Sequence, residues 1–172
     1  LDNRFDLFVS SEVFREAVIV LARECIRRGD SVGVVAYGAP PQIHARMTQN
    51  QGRTRYRTLV VPTTDMPLVE NGMARFTLGG DSDDFFPALT EARRLADDGK
   101  QRLGRPAQRV IVAFLHSLPE REIDPEMAGV AASFAVPVFC VLPETQGSLW
   151  WKRSLPAAYR DFLESTGGGV VE

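Results

Sequence analysis

The sequence has little lysine, histidine or cysteine. Of its 172 residues only Lys100 and Lys152 are lysine, His44 and His116 histidine, and Cys25 and Cys140 cysteine. Two cysteines do not make a disulfide framework, and no CxxC or HxxxH spacing offers a zinc site. Both sit in apolar surroundings, Cys25 on a helix face and Cys140 inside "VPVFCVLP", and read as small buried hydrophobes. No apolar run approaches the roughly 18 residues that would span a membrane, so no membrane segment is expected in this chain. There is no signal-peptide pattern. No GxGxxG or GxxxxGK[ST] follows a strand, and no GxSxG elbow exists, which removes the usual dinucleotide, P-loop and α/β-hydrolase signatures. The chain opens without methionine, so an upstream leader or anchor stays open. The expected location is cytoplasmic.

What is present is an ordinary globular composition, 44% hydrophobic and 24% charged, of a length that fits one domain with a real core. Eighteen of the 20 basic residues are arginine, the better bidentate ligand for carboxylate or phosphate. The net charge of -2 does not suggest a nucleic-acid partner. Arg53, Arg55 and Arg57 share a face if extended, either gripping phosphates or lying solvated on a strand.

Element by element, "SSEVFREAVIVLARECIRRGD" predicts a helix with Ser10 and Ser11 as N-caps. Phe14, Val18, Leu21 and Cys25 form its stripe, Val13, Ala17 and Val20 widen it, and Gly29 stops it. "SVGVVAY" has the unbroken apolar character of a buried parallel strand. "QIHARMT" alternates as an edge strand would. Residues 49–80 predict an irregular insertion, with a strand in "RTRYRTLVVP", a loop in "TTDMPLVENG" turning at Asn71-Gly72, and a short strand in "MARFTL". "GGDSDDFFPALTEARRLADDGKQ" predicts a helix capped at Asp83 or Asp84, since Pro87 fits only its first turn. "QRVIVAFLHS" and "VPVFCVLP" predict strands, with a short helix capped by Asp124 between them. "LPAAYRDFLESTGGG" predicts a helix ended by Gly167, and "VVE" begins a last strand. Strands alternating with helices predict an α/β fold: three layers, doubly wound, a mostly parallel sheet with one antiparallel edge strand. Ligands of such sheets sit at the carboxyl ends of the strands.

That rim holds the candidate functional residues: Asp2, Arg4, Asp6, Ser10 and Ser11 before the first helix, Asp81 and Ser82 in "GGDSDD", and His116 and Ser117 after the apolar strand. Asp2, Asp6, Asp81 and Ser82 supply hard oxygen atoms of the kind that hold Mg²⁺ or Ca²⁺, although capping and dipole compensation also explain the acidic run at Asp81–Asp84. His116 and Ser117 with a nearby aspartate would make a small hydrolase, or His116 is a local hydrogen bonder. Trp150 and Trp151 would be aromatic anchors for a partner, or pack under the last helix.

The order of "RRGDSVGVVAYG", "PQIHARMT", "GGDSDDFFPALTEA", "RVIVAFLHSLPE", "AVPVFCVLPE" and "YRDFLESTGGGVVE" resembles the von Willebrand factor A (vWA) domain over nearly the whole chain. In feel it is similar to the bacterial type found beside MoxR-type AAA+ ATPases. The resemblance implies a metal-ion-dependent adhesion site, Asp-x-Ser-x-Ser with a threonine and an aspartate from two further loops. Placed by its spacing to the first helix, that motif falls on Asp2 to Asp6. Arg4 and Asp6 then stand for the serines, Asp81 or Ser82 for the threonine and His116 for the aspartate. Arg4 opposes a cation: at roughly 4 Å and an effective dielectric of about 20, two unit charges already interact by about 4 kcal/mol, and Mg²⁺ carries two. The family's central first strand is also unaccounted for. Either it lies upstream of Leu1, or "RFDLFV" is that strand and the loop has shrunk to Ser10-Ser11.

The sequence therefore predicts a single vWA-like domain over 1–172, with no catalytic residue and no cofactor. It would bind protein partners, a MoxR-type ATPase among them, through a degenerate metal site. The alternatives are a Mg²⁺-dependent adhesion module and a hydrolase using His116.

Overall fold

The computed structural model describes residues 4–37, 56–76, 85–103, 108–114, 133, 135–141 and 155–171, with the backbone alone at 4–11 and 99–103. Its elements are α1 (Arg4–Arg27), β1 (Val32–Tyr37), β2 (Tyr56–Thr63), α2 (Met66–Met73), α3 (Phe85–Leu103), β3 (Ile111–Phe114), β4 (Val138–Val141), α4 (Ala157–Ser165) and β5 (Gly169–Val171). This is a mixed α/β chain that divides into two compact units, Leu1–Ala107 and Gln108–Glu172. The first carries the antiparallel pair β1–β2, the second the parallel sheet β3–β4–β5.

In the first unit α1 is 24 residues long, about 36 Å, and begins six residues before the serines expected to cap it. Ser10 and Ser11 lie inside the helix. The stripe explains why: Leu7 stands seven positions before Phe14, nearly two whole turns, so the apolar register continues upstream of the serines. A mid-helix serine costs only a few tenths of a kcal/mol. At the other end Gly29 N–H donates to Ile26 O at 2.9 Å and Asp30 N–H to Cys25 O at 3.0 Å, closing the helix where expected. The stripe is narrower than the sequence implied. Phe14 and Ala22 are buried, but Val13 and Val20 are 53% and 62% exposed.

Strand β1 runs antiparallel to β2 rather than in a parallel pair. The register moves from Val34↔Val60 to Val35↔Thr58, leaving Leu59 as an extra residue on β2. A second irregularity separates Val32↔Thr63 from Val34↔Val60 and contains Pro62, a residue with no N–H for the ladder. The first bulge keeps Val60 on the face of Val34 and Thr58 on the face of Val35. On the Val34 face a core of Ala22, Val60, Val69 and Met73 joins α1 and α2 to the ribbon, with Val18, Ile19, Ile26 and Leu59 packed around it. On the other face Tyr37 meets Phe85 of α3 edge-on, ring centres 5.9 Å apart, and Thr58 bonds Glu91 of α3. Helices thus cover both faces of the ribbon.

Within the segment 49–80, β2 falls on the strand expected in "RTRYRTLVVP", while the rest of residues 56–76 differs from expectation and is core-forming. Asn71-Gly72 is not a turn: it lies in α2, whose second position is Pro67, where a missing N–H costs nothing. Met73 ends that helix rather than opening a strand, and Phe76 packs back on the core. Gly72 is there because α2 lies on β2. A Cβ at Gly72 would collide with Val60 Cγ2 and stand 2.9 Å from Leu59 O. The edge strand expected over 42–48 and the helix expected after Asp124 lie outside the described residues.

The second unit follows the sequence closely. β3, β4 and β5 fall on the three apolar runs, and Ile111, Ala113, Val138 and Cys140 are buried. α4 ends at the expected glycine: Gly167 has φ +80°, its N–H donates to Glu164 O at 2.9 Å, and Gly168 N–H donates to Leu163 O at 3.0 Å. The Thr166 hydroxyl donates to Leu163 O at 2.6 Å and accepts from Val138 N–H at 3.1 Å, tying the helix end to the start of β4. Gly168 then passes so close to Val138 that a Cβ would overlap its carbonyl.

Two stability predictions follow from these contacts. An interior helical Gly→Ala change ordinarily stabilises by up to about 1 kcal/mol. Gly72→Ala should instead destabilise by about 1–3 kcal/mol, because overpacking against β2 outweighs helix propensity. Urea unfolding midpoints read the sign. Thr166→Val should cost about 1–3 kcal/mol by stranding the buried Val138 N–H, whereas Thr166→Ser, which keeps the hydroxyl, should cost less.

Candidate functional site

The nine rim residues divide by where they fall. Asp2, Asp81, Ser82, His116 and Ser117 lie outside the described residues, as do Trp150 and Trp151. Arg4, Asp6, Ser10 and Ser11 have helical backbone in α1. This corrects both forms of the segment before the first helix. Residues 4–9 are neither a loop nor a strand, and Ser10-Ser11 is not a shrunken loop. In a helix, positions two apart lie about 200° apart around the axis, so Arg4 and Asp6 occupy opposite sides. Four-apart positions such as Asp6 and Ser10 share a side. An Asp-x-Ser-x-Ser loop needs every second side chain to converge on one ion, and helical backbone cannot provide that.

Among the described residues no group of three or more His, Cys, Asp or Glu is placed to hold a metal ion. No described helix is long and apolar enough to cross a membrane. Cys25 and Cys140 are free thiols. Burial pushes the Cys140 thiol up to about 12 and raises Cys25 as well, which disfavours the thiolate at both.

Several of the described ionic groups act on the helices. Glu24 accepts from Arg27 at 3.0 and 2.9 Å and from Arg28 at 2.9 Å, and these bonds lower its carboxyl. Arg23 reaches Glu70 at 3.4 Å, an exposed link between α1 and α2. Arg15 Nη2 donates to Phe76 O at 3.2 Å, fixing the chain that leaves α2. Arg57, the one described member of the arginine run, is half-buried in β2.

Among the described residues, the most built-up polar cluster is one that the sequence reading does not single out. Glu91 on α3 accepts from Arg94 Nε at 2.8 Å and Nη2 at 2.7 Å, and from the Thr58 hydroxyl of β2 at 2.9 Å. Arg94 also bonds Asp98 at 2.7 Å. Its signal was visible as i, i+3 and i+4 spacing in "EARRLADD", but the Thr58 contact depends on the β2 bulge. The arrangement is a structural clamp between ribbon and helix, since both carboxylate oxygens of Glu91 already have donors.

Glu91 sets an expected pH dependence. The Arg94 bonds hold its carboxyl below 4.5, against a smaller opposing effect of burial and with further help from Thr58. A depressed folded-state value contributes stability above the ordinary carboxylate range and loses it as pH falls through the folded value. Glu91→Gln should therefore flatten the decline in thermal midpoint below pH 4.5 and leave a lower midpoint at pH 7, measured across a pH series.

No protein-family model matches the chain, and no curated protein matches it. Among solved structures, a crystal structure titled as an uncharacterised membrane-spanning protein from Vibrio fischeri is similar with a TM-score of 0.33 and 14% identity. It covers 93% of this chain and 75% of that one. A likeness of that size assigns no fold and no function.

Proposed function

We propose that this chain is a vWA-type module of three-layer, doubly wound α/β architecture that binds protein partners without catalysing a reaction and without a metal. The observation that carries the metal-independent part is the helical backbone over Arg4 and Asp6. It sets apart the positions that a cation-binding loop would bring together, and it puts a guanidinium-bearing residue in that segment. The vWA part is supported by the order of elements: helix, antiparallel pair, helices, then parallel strands alternating with helix. The Thr166-Gly167-Gly168 turn at the end of the last helix also supports it. In this reading the partner-binding residues are those expected from the sequence at the carboxyl ends of the strands, with Asp81, Ser82, His116 and Ser117 among them. The partner is a MoxR-type AAA+ ATPase, in keeping with the bacterial type that the sequence resembles. Free thiols accord with a cytoplasmic setting.

Two titrations test this. Calorimetry of the chain with Mg²⁺ should give no saturable heat into the millimolar range. Sub-millimolar binding that Asp81→Ala abolishes would overturn metal independence and favour a Mg²⁺-dependent adhesion module. Binding to a purified MoxR-type ATPase, followed by sedimentation velocity, should be the same with and without EDTA. No complex with the folded chain would overturn the partner assignment.

A further inference from the structure

We draw no further inference here: the strongest candidate, the outward apolar face of α1 formed by Val13, Val20 and Leu21, carries nothing because nothing in the structure shows what covers it.

Discussion

Backbone brought against backbone is the constraint on which both units depend. In the first unit α2 lies so close to β2 that position 72 has no room for a methyl group, and the core of Ala22, Val60, Val69 and Met73 closes only at that separation. In the second, Gly168 passes over Val138 with no space for a side chain, which lets β5 enter beside β4 directly after α4. Interiors packed to crystal-like density transmit such restrictions outward. The Thr166 hydroxyl adds direction to the second contact, because it satisfies a helix carbonyl and a strand N–H at once. Dispersion and burial supply most of the stabilisation; these approaches decide which surfaces receive it.

The β2 bulge plays a comparable part within the first unit. With an uninterrupted ladder, Thr58 and Val60 would share one face of the ribbon. The extra residue at Leu59 sends Val60 to the α1–α2 core and Thr58 to Glu91 on α3. A ribbon of two strands is marginal alone. Here it is stabilised by apolar packing on one face and by an aromatic contact with a charged, hydrogen-bonded clamp on the other.

Much of this was legible in the sequence where one local preference dominates. Gly29 and Gly167 marked helix ends, Pro87 marked a first turn, and continuous apolar runs marked β3 and β4. Legibility failed where local and tertiary signals disagree. Ser10-Ser11 carries a strong capping preference, yet Leu7 extends the helical stripe past it. Asn71-Gly72 reads as a turn, but the glycine is needed inside α2 for contact with β2, a partner ten or more residues away. The bulge at Leu59 leaves no composition mark at all. For the candidate site, the sequence located a segment rich in charge before the first helix but not its conformation. Asp6 and Arg4 look alike as loop ligands or helix residues until the backbone is known.

That backbone is what links structure to the proposed loss of metal dependence, and ¹³Cα chemical shifts of residues 4–11, recorded with and without Mg²⁺, test it most directly. The account predicts helical shifts through Arg4, Asp6, Ser10 and Ser11 that the cation leaves in place. Extended or loop-like shifts, or changes at Asp6 that saturate with Mg²⁺, would contradict it.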